Sequence, residues 1–342
     1  MKVAVDGTQL IRDGRGMGRY VREILRRIND RVEIALIVER SDIAARRQYA
    51  AAFGYFDVPL VAPSTQADVY WFPWNLLHVR TRAPRVVTIH DVAPLHFPHP
   101  NPLVRLRERR RLKSAVKSAR LIATISAFVR DELVERYGVA REAIVLAPPG
   151  VGAPFSVGPA DALPEALHAR PYVLFVGAPD KRKNLDVLRN AYTKAFPAKD
   201  VALVVAGGES SFDPDVLEIG YVEENLLVSL YRGASAVAIP SLYEGFGMTA
   251  IEAMACGAPV VATRCGGLAE ACGDAALFVD EPTSVEGWAN ALQTVVRDEP
   301  LAADLRSRGL ERVSDFSWDR TAEVMVATFA AAIADGRAGK RG

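Results

Sequence analysis

The feature that most constrains this chain is an alternation. Strand-length apolar runs recur at 2-KVAVD-6, 32-VEIALIV-38, 68-DVYWF-72, 85-RVVTIH-90, 121-LIATIS-126 and 143-AIVLAP-148. After a gap they resume at 172-YVLFVG-177, 201-VALVVAG-207, 236-AVAIP-240, 260-VVAT-263 and 276-ALFVD-280. Helical patterns separate them, such as 19-RYVREILRRI-28 and 127-AFVRDELVERYG-138, the second stopped by a glycine. The apolar runs are continuous, so the strands are buried on both faces. Parallel sheets covered by helices satisfy that requirement, which predicts an α/β, doubly wound architecture.

The alternation breaks once, at 147-APPGVGAPFSVGPADALPEALHARP-171, which is crowded with Pro, Gly and Ala and lacks periodicity. It reads as a linker between two α/β domains, and 342 residues are too many for one typical core. The expected domains are 1–155 and 170–315, followed by an apolar helix over 316–336. The tail 335-DGRAGKRG-342 reads as disordered. A net charge of +1 gives no global attraction to nucleic acid, so no nucleic-acid partner is expected. The start 1-MKVAVDG-7 lacks the features of a signal peptide, and no apolar stretch has the length of a membrane span. The three cysteines form no C-x-x-C pattern and suit a reducing compartment. A cytoplasmic location follows as an expectation.

Doubly wound domains bind ligands beyond the carboxyl ends of their strands, so the polar residues there are the ones to read. The stretch 241-SLYEGFGMTAIEAMACGAP-259 reads as a glycine loop entering a helix between two strands. The unpaired amides of Phe246, Gly247, Met248 and Thr249 at that helix start suit a phosphate. Two acids bracket them, Glu244 and Glu252. A carboxylate accepts hydroxyl hydrogen bonds, so a diphosphate with sugar on either side would satisfy amides and acids together. A nucleotide sugar is such a ligand. The alternative is that Glu244 merely favours the helix N-terminus and Glu252 is solvated.

The segment 244-EGFGMTAIE-252 resembles the E-x7-E signature of the family 4 glycosyltransferases of GT-B fold. The segments 220–247, 257–270, 14-GRGMGRY-20, 90-HD-91, 124-TIS-126, 177-GAPDKRKNL-185 and 317-SWDRTA-322 resemble the same family. The resemblance covers essentially the whole chain. It implies two Rossmann-like domains facing a central cleft, the second binding the donor, and a last helix crossing back to the first. It also implies that Arg182 and Lys183 hold the diphosphate, that Glu244 orients the donor sugar, and that Glu252 grips the ribose. His90 would contact the transferred sugar, and Gly16 would lie beside the donor phosphates or the acceptor. One departure stands out: many members carry Arg directly after the strand glycine, where this chain has Ala178.

Other residues are read with alternatives. Asp91 either orients His90 or caps the next turn. Trp71 reads as core and Trp74 as a candidate sugar-stacking platform on the acceptor side. Asp213-Pro214-Asp215 imitates a D-x-D metal motif, but no metal is expected, because amides and cations can stabilise the leaving phosphate. The run 105-RLRERRRLKSAVKSAR-120 is basic apart from Glu108. It reads as a solvated helix face or as a peripheral contact with anionic membrane at the inner face. The resemblance implies retaining transfer of a hexose to a glycan or lipid-linked acceptor. The donor is mannose from GDP-mannose or glucose from a UDP-sugar, with no cofactor. A sugar-nucleotide epimerase and a non-catalytic nucleotide-sugar binder are the competing readings. A dinucleotide-dependent oxidoreductase fits less well, since Gly14, Gly16 and Gly18 miss the G-x-G-x-x-G spacing despite an acid at Glu39.

Overall fold

The computed structural model of the chain describes residues 1–10, 16–38, 59–61, 65–75, 81–168, 170–178, 180–208, 210–212 and 216–338. The chain divides into two compact units, Met1–Gly150 with Ser317–Gly342, and Val151–Phe316.

In the first unit the strands are β1 (Lys2–Asp6), β2 (Glu33–Ile37), β3 (Leu60–Val61), β4 (Val69–Phe72), β5 (Arg85–Ile89), β6 (Leu121–Thr124) and β7 (Ile144–Leu146). They form one parallel sheet in the order β3-β2-β1-β4-β5-β6-β7, with Val3 opposite Ile34 on one side and Val69 on the other. Helices α1 (Met17–Ile28), α2 (Ala93–His96), α3 (Pro102–Ser118) and α4 (Ala127–Tyr137) belong to this unit. Helix α4 begins at Ser126, whose hydroxyl accepts the Val129 amide, and ends at Gly138 with φ 64°, the left-handed turn that terminates helices. The C-terminal helix (Trp318–Ala338) packs against α1. Its buried residues Trp318, Ala322, Met325, Phe329 and Ala332 step by four and three, one stripe of a helix. Trp318 meets Tyr20 edge-on at 6.0 Å between ring centres, and Thr321 donates its hydroxyl to the carbonyl of Pro148 at 2.5 Å. This helix runs through residue 338, so 335–338 are helical rather than the expected disordered tail.

In the second unit the strands are β8 (Tyr172–Val176), β9 (Ala202–Ala206), β10 (Ser210–Phe212), β11 (Val216–Gly220), β12 (Ala236–Ile239), β13 (Val260–Thr263) and β14 (Ala276–Val279). The order is β10-β11-β9-β8-β12-β13-β14, parallel except for β10 against β11. The helices are α5 (Leu185–Ala195), α6 (Glu224–Gly233), α7 (Met248–Ala255), α8 (Gly266–Cys272), α9 (Val285–Arg297) and α10 (Glu299–Arg312). Alternate residues of β8 feed two cores: Tyr172 and Leu174 pack with α6 and α7 on one face, and Val173 and Phe175 with α5 and α9 on the other. Double-sided burial is why the strands are continuously apolar. Each such side chain contributes about 1.5–3 kcal/mol on burial. The doubly wound α/β architecture is therefore the one expected.

The stretch expected as a linker is not a free tether. Phe155 and Leu167 are buried in the core of the second unit. The guanidinium of Arg232 donates to the carbonyls of Ser156 (2.8 Å) and Pro159 (3.0 Å), and the Ala162 amide donates to the Ser229 hydroxyl at 3.2 Å. Proline and glycine set its irregular path, and side-chain contacts from α6 hold it down.

Candidate active site

In the second sheet, β8 has β9 on one side and β12 on the other. The winding reverses between β8 and β12, so the loops leaving their carboxyl ends splay apart and open a crevice. The loop after β8 holds a 3-10 turn, Lys181–Lys183, started by Asp180, whose side chain accepts the Arg182 amide at 2.9 Å. The loop after β12 runs through Ser241, Glu244 and Gly247 into α7. A backbone bond from the Leu242 amide to the Arg182 carbonyl, 2.7 Å, joins the two loops.

This junction brings Lys183 and Glu244 into direct contact, with Nζ 2.6 Å from Oε1. The Ser241 hydroxyl donates to the same oxygen at 2.6 Å. Ser241 is itself fixed, since its carbonyl accepts the Thr263 hydroxyl at 2.6 Å. Sequence reasoning gave Glu244 and Lys183 separate partners on the ligand; the fold makes them partners of each other. Both are largely buried, with side chains 13% and 16% exposed. Burial alone would raise the Glu244 carboxyl. The Lys183 ammonium and its hydrogen bond, the Ser241 hydroxyl and the Arg182 charge outweigh it and hold the group below the ordinary carboxylate range. The site thus presents an ionised carboxylate whose Oε1 is doubly engaged.

Around this pair, Arg182 bonds its Nε to Asp180 at 3.1 Å. Gly247, φ 138°, is the cap residue directly before helix α7, and no side chain caps that helix start. A φ in that range favours glycine, and a helix start without a side-chain cap leaves its first amides for an outside acceptor. Phe246 and Gly247 are buried, and Met248 and Thr249 are half-buried. One turn on, Glu252 accepts the Tyr231 hydroxyl at 3.3 Å. All these groups share one end of one sheet.

The first unit has a second cluster at its own switch point, between β1 and β4. His90 follows β5 and is 6% exposed. Its Nε2 lies 2.8 Å from the Pro73 carbonyl, an acceptor only, so Nε2 carries the proton and Nδ1 is left as an acceptor. Its backbone amide donates to Asn75 Oδ1 at 2.6 Å, and Tyr20 packs edge-on against the ring at 5.0 Å. Burial pulls the imidazole down to about 4, opposed in part by the bond to Pro73. Asp91 accepts the Ala93 amide at 3.0 Å, capping the turn into α2. Trp74 is corrected: it is 3% exposed and donates Nε1 to the Asp6 carbonyl at 2.7 Å, so it is no open stacking platform. Trp71 is core, as expected, and donates to the Thr88 hydroxyl at 2.8 Å. Gly16 stands at the start of α1 with φ 55°.

Gly14, Glu39 and the Asp213-Pro214-Asp215 motif lie outside the described residues. Among the described residues, no group of three His, Cys, Asp or Glu side chains is placed to hold a metal ion. Sequence reasoning missed Asp180, Ser241, Thr263 and Asn75. Ser241 was findable, because it is the first polar residue after an apolar strand.

The neutrality of His90 has a measurable effect. The unfolded chain takes up a proton near pH 6.5 that the folded chain refuses until about pH 4. The stabilisation is therefore complete above the unfolded value and is lost as pH falls between the two. The loss amounts to about 3 kcal/mol. Relative to His90→Gln, the parent should lose that much unfolding free energy in urea titrations between pH 7 and pH 4. A constant gap between the two proteins would show that His90 is not held neutral.

Residues 170–298 match the family model described as Glycosyl transferases group 1, and residues 14–153 match Glycosyltransferase Family 4. O-antigen chain mannosyltransferase B of Escherichia coli is 31% identical over 257 residues, covering 68% of this chain and 67% of that protein. D-inositol 3-phosphate glycosyltransferase of Nocardia farcinica is 31% identical over 312 residues, covering 82% and 67%. The crystal structure of Anabaena HepE in complex with UDP and glucose has a TM-score of 0.73 at 17% identity, covering 97% of this chain and 100% of that one, a likeness of fold. This chain belongs to the family 4 glycosyltransferases, and it is a glycosyltransferase of GT-B fold.

Proposed function

We propose that the enzyme transfers a hexose from a nucleoside-diphosphate sugar to an acceptor hydroxyl, with retention of anomeric configuration. The observation that carries this reading is the Lys183–Glu244 pair beside the uncapped start of α7. Cations and amides suited to a diphosphate adjoin a carboxylate suited to sugar hydroxyls. In this reading Arg182 and Lys183, with the amides from Phe246 to Thr249, hold the diphosphate. Glu244 orients the hexose, and Glu252 binds the ribose. His90 contributes a neutral acceptor near the 6-position of the hexose. Gly16 lies beside the phosphates, and Asp91 sits on the acceptor side. The departing phosphate takes the acceptor proton on the face where the new bond forms, so no carboxylate nucleophile and no metal is required.

Mannose from GDP-mannose is the preferred donor, supported by the mannosyltransferase relative. Glucose from a UDP-sugar is the alternative, supported by the UDP and glucose held by the structural neighbour. The acceptor is a glycan or a lipid-linked saccharide, met on the cytoplasmic side, with the basic run 105–120 in peripheral contact with anionic membrane. No helix among the described residues is long and apolar enough to cross a membrane.

Thermal-shift measurement against GDP, UDP, ADP and NAD tests the donor. A ligand at a hundred times its Kd stabilises by about 2.7 kcal/mol. GDP is expected to raise Tm most, and a shift with UDP alone would reassign the base. A shift with NAD alone, or with none of the four, would end the nucleotide-sugar reading. Donor turnover that does not depend on an acceptor would indicate an epimerase.

A further inference from the structure

We propose that Arg312 and Phe316 form a brace that aims the amides at the start of α7, which makes them positioning residues for the donor diphosphate. The proposal rests on the reading that those amides hold the diphosphate, and it adds what keeps them in place.

The observation begins at Phe246, whose amide is the first of that set. Its buried ring meets the Phe316 ring edge-on, at 5.3 Å between ring centres and 84° between planes. Phe316 is buried too, and it is the last residue of the second unit. Its carbonyl accepts the amide of Val151, the first residue of that unit, at 3.1 Å. The two ends of the unit are thus tied to each other beside the loop that carries Glu244. Arg312 stands behind Phe316. It is the last residue of α10, and the 3-10 turn Val313–Asp315 folds the chain back until the guanidinium lies 4.9 Å from the Phe316 ring centre. Every nitrogen of that guanidinium is engaged. Nε donates to the Ala271 carbonyl at 3.1 Å, one terminal nitrogen to the Glu270 carbonyl at 2.5 Å, and the other to the Asp315 carboxylate at 2.6 Å. Glu270 and Ala271 lie in the last turn of α8, where a cation meets the negative end of the helix.

The other end of α8 carries Gly267, whose amide donates to the Glu244 carbonyl at 2.9 Å. The body of α8 lies so close to Gly247 that a Cβ there would come within 2.8 Å of the Leu268 side chain and 3.2 Å of Ala271. Arg312 therefore reaches the Glu244 loop by two routes, through Phe316 to Phe246 and through α8 to Glu244 and Gly247. Amides hold an anion well only when they are aimed before it arrives, and a shift of about an ångström costs about 10² in rate. Gly247 adds little stiffness of its own, and no side chain caps the start of α7. The aim of the amides thus depends on what packs against the loop. An aromatic edge is directional, and a planar fork of donors is more so. Phe316→Leu and Arg312→Met keep much of the bulk and remove both constraints.

Calorimetric titration of the full chain with GDP and with guanosine tests the proposal, with UDP and uridine in their place if UDP is the nucleotide the parent binds. Phe316→Leu is expected to weaken GDP about fivefold and to leave guanosine, which brings no phosphate to the amides, unchanged. Arg312→Met, at a side chain 28% exposed and so less able to disturb folding, should do the same. The two together should weaken GDP by less than the product of the single losses, because both act on one loop. Equal weakening of GDP and guanosine, or no weakening by either variant, would overturn the brace while sparing the nucleotide-sugar reading. Losses that multiply in the double variant would reveal two independent effects and overturn the pair as one device. A parent that binds neither GDP nor UDP would overturn the nucleotide-sugar reading itself, and the brace with it.

Discussion

Replacing Glu244 by glutamine is expected to lower kcat by about 10²–10³-fold while GDP binding is kept or tightened. The argument starts from the pair. Lys183 lies 2.6 Å from the carboxylate, in a setting where both are mostly out of water, so their attraction is little screened. Glutamine keeps the shape and one acceptor oxygen, so the Ser241 bond can persist. In the proposed reading it removes the charge that would face the sugar as positive character develops at the anomeric carbon. It also releases Lys183 from its counter-ion, leaving the ammonium fully available to a diphosphate. Nucleotide affinity and turnover should therefore move in different directions, which loss of folding cannot produce. Losing a contact made only in the transition state lowers kcat, whereas losing one made equally in the ground state raises KM alone. Initial rates at saturating donor, with a GDP thermal shift on the same sample, decide it. A kcat close to the parent's would remove Glu244 from the reaction. An alanine at this position is the poorer probe, because it leaves both Lys183 and Ser241 without their shared acceptor.

The sequence made the strands easy to find and their order impossible to see. Strands β1, β8, β9, β12 and β13 stood out because two cores claim alternate residues, which leaves no polar position between them. β11 was missed because it is only partly buried and carries Glu218 at its centre, and β3 is two residues long. The E-x7-E spacing placed Glu244 and Glu252 on either side of a helix start. The contact between Glu244 and Lys183 spans 61 residues and exists only because β12 lies beside β8 rather than beside β11. No local pattern encodes that adjacency. Trp74 was misjudged for a similar reason. Its neighbour, the carbonyl of Asp6, belongs to a strand far away in sequence, and that bond turns the indole inward. His90 was located correctly at a strand end, but its tautomer depends on the Pro73 carbonyl folding back onto Nε2.

The substitution expected to do most damage to structure and site together is Gly267→Ala. The glycine pair in 264-RCGGLAE-270 opens α8 directly against the loop that carries Glu244. The Gly267 amide donates to the Glu244 carbonyl at 2.9 Å. A Cβ at this position would lie 2.3 Å from the Gly245 carbonyl oxygen, 2.7 Å from its carbon and 2.8 Å from the Phe246 Cα. All three are backbone atoms, so no side chain can swing aside. Either α8 or the loop must retreat by about an ångström, and overpacking of that kind costs about 3 kcal/mol. A retreat of the loop carries Glu244 and the first amides of α7 with it, and a displacement of that size costs about 10² in rate. Gly138→Ala is the control. Its φ is 64° and nothing lies within contact of the added carbon, so it suffers backbone strain alone, about 1 kcal/mol, and it belongs to the first unit rather than to the unit that carries Glu244. Urea midpoints and GDP thermal shifts should therefore separate the two: a modest loss of stability with binding intact for Gly138→Ala, and a larger loss with binding impaired for Gly267→Ala. If Gly267→Ala unfolds with the control and binds GDP normally, α8 does not brace the Glu244 loop, and the site is held by the strand ends alone.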